Sequence, residues 1–538
     1  MKNIFIGGAW PYANNSLHVG HLAALLPGDV IARYNRQIGN RVIYVSGTDS
    51  HGTPITVRAL NEKTTPEKIA KSYDSEFRDL FNKYDFSYDL YTNTMNEYHI
   101  DRVQTFFKDI YDNGFLYPKE ESQDFCNVDK KFLADREIEG TCPYCGGHAR
   151  GDQCEDCMRT LETNQLLNKH CKICSGTDIS SKINTHLVFA LTAFQGKLES
   201  WVEAHTNDWR TNAYNETRKY LVNRLQDRTA TRVIDWGVSV TIENFQDKKI
   251  YVWIEAVLGY ITAGEQVAKN KGWNYNDFFK HNEEIENEIF LVHGKDNIPF
   301  HTVIYPALLL AMNENYKLPD KIISSEYVNV DGQKMSKSKG NYTSAMELLE
   351  KFDSETIRFY FLLNGPEKRD MNFLENNMVQ LHNKILVGGL GNFVNRNLAF
   401  LIKKHRKVIH VHKLDSDVID KVRQCYESIT TNLNSGNTRE AIAIVVDLIS
   451  YCNKYYDENE PWVLFKKSPD DFDAVTFNCV FLMINVANLI KPFLPRTSKK
   501  ISDILGVELP NIWDVVKINK NITVERAPLL FETIQTQL

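Results

Sequence analysis

Residues 3–54 alternate between strand-like and helix-like apolar segments in an order that leaves few folds open. Asn3-Ile4-Phe5-Ile6 reads as a short buried strand, and Gly7-Gly8-Ala9-Trp10-Pro11 as a turn in which two glycines bend the chain and Pro11 stops the strand. Leu22 to Tyr34 keeps helical spacing through Pro27, and Arg41-Val42-Ile43-Tyr44-Val45 is a second buried strand. Strand, helix and strand of this length make a right-handed crossover unit of a parallel sheet, and ligands on such sheets bind beyond the C-terminal strand ends.

Chemistry-bearing residues cluster at those ends. Ser16 is the expected cap of a helix starting at Leu17 or His18, which places His18 and His21 in its first turn on one face. A helix N-terminus offers free N–H groups and partial positive charge to a phosphate. Two imidazoles beside it can donate to oxygens that gain charge in phosphoryl or nucleotidyl transfer, and Gly20 lets a base or ribose approach the backbone. Asp49, in the turn Gly47-Thr48-Asp49-Ser50-His51-Gly52-Thr53-Pro54, can pair with an ammonium group. A solvated histidine pair and a capping aspartate are the plain alternatives. Much later, Lys334-Met335-Ser336-Lys337-Ser338-Lys339-Gly340-Asn341 follows a glycine turn, and such a loop can close over a polyphosphate as pyrophosphate leaves.

At 538 residues there is room for two or three domains, and 43% apolar with 25% charged residues is ordinary for a soluble globular protein. The net charge of −6 gives no general attraction to nucleic acid, although Lys403-Lys404-His405-Arg406-Lys407 is a local basic run. No run of about 18 apolar residues is present, so no membrane span is expected, and the N-terminus makes a poor signal peptide. Six of the ten cysteines fall in Cys-x-x-Cys pairs between 142 and 174, which suits metal better than disulfides and points to the cytoplasm. Cys142, Cys145, Cys154 and Cys157 have zinc-ribbon spacing, with glycines 146, 147 and 151 in the turns. Cys171 and Cys174 need two more ligands, and Cys126 with Asp129 is the nearest unused pair of the same spacing. Two nested structural zinc sites are expected; a weaker Cys3Asp site, His148 or His170 as substitute ligand, and no second metal stay open.

His18-Val19-Gly20-His21 and Lys334-Met335-Ser336-Lys337-Ser338 together resemble the two signatures of class I aminoacyl-tRNA synthetases, His-Ile-Gly-His and Lys-Met-Ser-Lys-Ser. Segments 7–21, 47–54, 142–174, 253–260, 294–301 and 334–341 are similar to methionyl-tRNA synthetases of the two-knuckle type, without the C-terminal tRNA-binding extension some members append. The resemblance implies an α/β fold: a Rossmann-like parallel-sheet catalytic domain with a zinc-knuckle insertion, followed by an all-α anticodon-binding bundle. The expected divisions are 1–117 and 233–325 for the two catalytic halves, 118–232 for the insertion, 326–365 for the lysine-loop linker and 366–538 for the bundle. The implied activity is methionine–tRNA ligase: methionine and ATP, with Mg, give methionyl-adenylate and pyrophosphate, and the methionyl group passes to tRNA(Met).

On that resemblance His18, His21, Lys334 and Lys337 are catalytic, and His18, Gly20, His21, Gly294, Lys295, Asp296 and Lys337 bind ATP. Ala9, Trp10, Tyr12, Asp49, Trp253, Ala256, Tyr260 and His301 correspond to the family's methionine pocket; Trp10 is a leucine and Val257 a proline in some members. One methylene is worth only about 1–3 kcal/mol, so a thioether pocket needs a polar contact to sulfur, expected from Tyr260 and His301. Sulfur against Trp253 adds about 0.3–1.5 kcal/mol. Asn392, Arg396 and Trp462 match the anticodon-contacting residues, and an exposed tryptophan can stack an unpaired base.

Around these sites the pattern predicts helix from Thr65 to Asn113, mixed helix and loop from Thr185 to Thr241, and strands at 237–240 and 249–252. Helices are expected from Asn372 to about Lys404 and at 416–432, 437–456 and 472–489, with only short elements after Pro495. Leucyl, isoleucyl and valyl synthetases share this scaffold but carry a large editing insertion, where this chain has a short cysteine-rich one. A non-catalytic RNA-binding protein on a retired synthetase is the rival of another class, and intact His18, His21, Lys334 and Lys337 argue against it.

Overall fold

Five segments form one parallel sheet: β1 (Asn3–Gly8), β2 (Arg41–Thr48), β3 (Leu90–Asn93), β4 (Asn287–Gly294) and β5 (Lys321–Ser325), in the order β5-β4-β1-β2-β3. The runs Ile4-Phe5-Ile6, Val42-Ile43-Tyr44-Val45 and Ile289-Phe290-Leu291-Val292 are buried throughout, as strands covered on both faces must be. Strand order reverses between β1 and β4, the place where open parallel sheets bind ligands. Helix α1 (Val19–Gln37) follows β1 and lies against β2 and β4, and helix α2 (Val252–Asn270) covers β2. The computed structural model describes all residues except 134–136, 152–153, 155, 157–160, 162, 313, 331, 336–341 and 536–538, and describes 164 and 334 by backbone only.

Several elements differ from the sequence expectation. The stretch 65–113 is two helices, Pro66–Lys83 and Glu97–Asp112, flanking β3, which forms because Leu90–Asn93 pairs with β2 at the sheet edge. Val252 opens α2 instead of ending a strand, which shortens to Lys249–Ile250, and within 237–240 only Ser239 makes a bridge, to Lys249. After Pro495 the chain forms an 11-residue helix, Pro495–Leu505.

The insertion is a ribbon of two antiparallel strands, Leu116–Cys126 and Ile179–Phe189, in register from Leu116 opposite Phe189 to Cys126 opposite Ile179. It replaces the helix and loop expected at the start of 185–241. At about 3.4 Å per residue the ribbon extends about 35 Å, and it carries a small sheet of His148–Arg150, Ile138–Thr141 and Leu167–Cys171 at its cysteine-rich tip.

The last third is helical, built on Ser416–Asn434, Thr438–Glu458 and Pro469–Ile490. By length and composition Glu375–Lys403 and Pro469–Ile490 could cross a bilayer, against the expectation of no such segment, and 89% of the apolar window of Pro469–Ile490 is buried inside the protein. Asn485 and Asn488 on this helix donate to Val516 O and Ile512 O, sewing the tail to the core. Gln37 of α1 donates to Asn488 Oδ1 (2.9 Å), and Asp29 of α1 meets Arg358 at 2.7 Å with both side chains fully buried. Breaking such a buried pair costs about 3–5 kcal/mol, and Arg358 also donates to Phe493 O (3.1 Å), so with Gln37 on Asn488 the bundle is docked on α1 and the Arg358 helix beside it.

Candidate functional site

Beyond β1 the backbone crosses the C-terminal edge of the sheet, where Ala9 N–H donates to Val292 O of β4 (2.8 Å). The cap of α1 is His18, not Ser16. Its Nδ1 accepts from Gly20 N–H (3.1 Å), while His21 Nδ1 accepts from His18 N–H (3.2 Å). A neutral ring whose Nδ1 accepts carries its proton on Nε2. Both rings are neutral: burial, then the neighbouring His21, lowers His18 to about 2, and burial lowers His21 to about 4. The ring centroids lie 3.9 Å apart, so two Nε2–H donors stand together at a helix N-terminus whose own amides suit an anion.

The lysine segment arrives at the same place. Val19 N–H donates to Thr343 O (3.2 Å), Ala345 N–H to Leu17 O (3.0 Å) and the Tyr342 hydroxyl to Ser16 O. At the other end, Gln333–Lys334 pairs with Val328–Val330, and a Cβ on Gly20 would stand 2.9 Å from Met335 Cε. Both flanks of the loop therefore touch the histidine motif. Lys337 lies outside the described residues, as do Ser336 and 338–341 and the side chain of Lys334.

Beside this edge lies an aromatic pocket. Trp10 packs against two glycines, where a Cβ on Gly259 or Gly47 would approach its ring to 2.6 and 2.8 Å; a Cβ on Gly7 would meet Tyr260 at 2.7 Å. Tyr260 and Ala256 are buried on α2, and Trp253, 46% exposed, packs on Phe300 with centroids 4.5 Å apart. His301 Nδ1 lies 2.7 Å from Asn297 O, and its Nε2 lies 2.7 Å from Tyr260 Oη. A carbonyl only accepts, so Nδ1 holds the proton and Tyr260 O–H donates to Nε2, with burial lowering His301 to about 4. A sulfur facing this pair meets polarisable groups whose protons are already engaged.

Asp49 closes the pocket. Its N–H donates to Pro11 O and its carbonyl accepts from Ala13 N–H (2.8 Å each), which holds Tyr12 alongside. Its Oδ1 is buried with no hydrogen-bond partner among the described residues. Burial, then the charge of Glu255, pushes the carboxyl well above the usual carboxylate range. A buried carboxylate oxygen without a donor marks a candidate place for a cation. Gly294 ends β4 nearby, but Lys295 is paired with Glu326 (2.8 Å) and Asp296 accepts from the Tyr327 hydroxyl, so both must exchange partners to reach a nucleotide. Phe300, Tyr342, His51 and Glu255 join the site without having stood out in the sequence; each is placed by contacts from distant segments.

At the ribbon tip, ligand atoms of Cys126, Asp129, Cys171 and Cys174 all lie within 4.8 Å of one another. Asp129 Oδ2 is 3.1 Å from Cys171 Sγ and 3.4 Å from Cys126 Sγ, and the sulfurs of Cys126 and Cys174 are 3.6 Å apart. Tetrahedral zinc with bonds of about 2.3 Å spaces sulfurs about 3.8 Å apart, so this set fits zinc. Cys142, Cys145 and Cys154 form the second group, and Cys157 lies outside the described residues. His148 and His170 instead face Glu139, at 3.5 and 3.6 Å.

In the helical region Asn392 is exposed, one turn before Arg396. Arg396 donates to Asp457 (2.7 Å) and Asn453 O (3.0 Å) and lies 4.3 Å over Tyr456, whose ring is 5.7 Å from that of Trp462, itself 40% exposed.

The family model for class I tRNA synthetases (M) matches residues 4–398, and that for the anticodon-binding domain of methionyl tRNA ligase matches 409–532. Methionine–tRNA ligase 1 of Alkaliphilus oremlandii (strain OhILAs) is 42% identical over 100% of this chain and 98% of its own length. Methionine–tRNA ligase of Streptococcus pneumoniae (strain CGSP14) is 40% identical over 96% of this chain and 93% of its own. Mycobacterium tuberculosis methionyl-tRNA synthetase, solved with methionyl-adenylate, has the same fold at a TM-score of 0.81, 22% identity, 99% coverage of this chain and 100% of its own. With that family model over residues 4–398 and those relatives matched over nearly the full length, the chain belongs to the methionyl-tRNA synthetases of class I.

Proposed function

We propose that this chain is a methionine–tRNA ligase, and the observation that carries it is that both flanks of the lysine segment, at Met335 and at Tyr342–Ala345, touch the histidine motif at the start of α1, on the sheet edge that also carries Asp49. Asp49 holds the methionine ammonium, while Ala9, Trp10, Tyr12, Trp253, Ala256, Tyr260 and His301 enclose the side chain. The substrate carboxylate attacks the α-phosphorus of ATP, which enters with Mg, and pyrophosphate leaves. His18 and His21 donate from Nε2–H to the phosphate oxygens as they gain charge. Lys334 and Lys337 neutralise the leaving pyrophosphate, and Gly20, Gly294, Lys295 and Asp296 border the nucleotide. The terminal ribose hydroxyl of the tRNA then attacks the adenylate carbonyl, and AMP departs. The division into catalytic halves 1–117 and 233–325, insertion 118–232, linker 326–365 and bundle 366–538 fits this scheme. The described cysteines form no disulfide with one another, in keeping with a reducing compartment such as the cytoplasm.

Asn392, Arg396 and Trp462 read the anticodon on this proposal. A Trp462→Ala variant is expected to raise KM for tRNA(Met) about tenfold or more, because stacking one base is worth about 1–3 kcal/mol. Amino-acid activation without tRNA should not change. Equal loss in both assays, or in neither, would remove the bundle from tRNA reading.

Both cysteine groups are structural zinc sites on this reading, since four protein ligands leave no open position, and bound zinc supplies only cross-linking of the knuckles. Metal analysis should give two zinc ions per chain and one in a Cys171→Ser variant. One zinc in the unaltered protein would restrict binding to a single knuckle.

A further inference from the structure

Glu255 stands between the pocket residues Trp253 and Ala256 in sequence, yet its side chain is fully buried and turned to other partners. Its Oε1 lies 2.6 Å from His51 Nδ1 and 3.7 Å from His99 Nε2, while Oε2 has no hydrogen-bond partner among the described residues. His99 is held in turn by Thr262 of α2 through Nδ1 (2.9 Å), and its ring lies 5.9 Å from that of Trp10. The opposite side of the turn is clamped too: Trp236 Nε1 donates to Ser50 O (2.7 Å), and its ring meets that of His51 edge-on at 5.2 Å. Ser50 and His51 directly follow Asp49, and Gly52 next to them sits at φ +104° with the Tyr12 hydroxyl against it.

We propose that Glu255 is a positioning residue for recognition of the amino group: through His51 it fixes the turn that carries Asp49, and it keeps that wall of the pocket negative. The inference rests on the reading of Asp49 as the ammonium partner. A buried carboxylate beside another is costly unless hydrogen-bond donors or cations meet the pair. His51 and His99 meet Glu255: burial would raise its pKa, and the two imidazoles outweigh that and hold it lowered. Among the described residues Asp49 has only the His51 backbone N–H to ease its ionisation, and burial and Glu255 outweigh it. The arrangement therefore favours a ligand that brings its own positive charge to Asp49 and disfavours an uncharged amine or a hydroxyl there.

The test is the Kd of methionine by equilibrium dialysis, with KM for ATP from pyrophosphate exchange, in Glu255→Gln, Glu255→Asp, Asp49→Asn and the double variant Asp49→Asn/Glu255→Gln. Glu255→Gln, which keeps size and reach but loses charge, should raise the methionine Kd about tenfold with KM for ATP unchanged. Glu255→Asp should recover part of the loss, and the double variant should bind no worse than Asp49→Asn. If Glu255→Gln does not fold, Glu255→Gln/His51→Gln, with an amide on each side, takes its place with the same expectation. A methionine Kd within twofold of wild type, equal losses for methionine and ATP, or additive losses in the double variant would overturn the proposal. Tight methionine binding by Asp49→Asn would instead overturn the reading of Asp49.

Discussion

A His18→Asn enzyme should form methionyl-adenylate about 10²–10³-fold more slowly than wild type, the loss that follows removal of one donor to a developing oxyanion. The choice of asparagine matters because His18 has two duties. Its Nδ1 caps α1 by accepting Gly20 N–H, which leaves the ring proton on Nε2 for the proposed phosphate contact. Alanine would remove both and cost about 1 kcal/mol of stability through the cap alone. Asparagine keeps an acceptor at the cap, while its shorter amide carries its N–H donors closer to the backbone than the His18 Nε2–H they replace. Single-turnover adenylate formation and thermal melting, measured on the same preparation, separate the two duties: the rate should fall while Tm stays within a few degrees. Near-normal adenylate formation would confine His18 to capping.

Asp49→Asn should raise the methionine Kd about 10²-fold, because truncating one partner of a buried hydrogen-bonded charge pair costs about 2–5 kcal/mol. In the unaltered enzyme the proposed role of Asp49 implies a pH dependence. Burial and Glu255 raise the carboxyl pKa, so the proton is lost only above the usual carboxylate range. The protonated form cannot pair with an ammonium, and methionine binding should weaken as pH falls through that raised pKa. Binding to Asp49→Asn should lack this step. A flat methionine Kd across the range in wild type, or an unchanged step in the variant, would assign the dependence elsewhere.

The parts of the site that were legible in the sequence are those written into short contiguous runs. His18-Val19-Gly20-His21 and Lys334-Met335-Ser336 each carry their chemistry locally, and the β1-turn-α1 order places the first at a sheet edge. Trp253, Ala256 and Tyr260 share a helix face, and Cys126, Asp129, Cys171 and Cys174 share a spacing. What was not legible depends on segments far apart in the chain. β3 is a strand because β2 offers it an edge, and the ribbon strand Ile179–Phe189 is fixed by Leu116–Cys126, more than fifty residues earlier. Ser16 is the better cap by residue type, but His18 and His21 satisfy the same amides with their rings. Glu255 looked like one more polar position on a helix until His51, 204 residues away, came to lie against it.

The resemblance to synthetases of branched apolar amino acids makes side-chain choice the sharpest question for the whole account. Trp10 lies against Gly259 and Tyr260 against His301, polarisable groups that the proposal sets around an unbranched thioether, with Asp49 at its amino end. Pyrophosphate exchange with ATP, run on the purified chain with each of the twenty amino acids in turn, reads that choice directly. Methionine alone should drive rapid exchange, with leucine, isoleucine and valine at least about 10²-fold slower in kcat/KM. Preferred exchange with any of those three, or none with methionine, would contradict it.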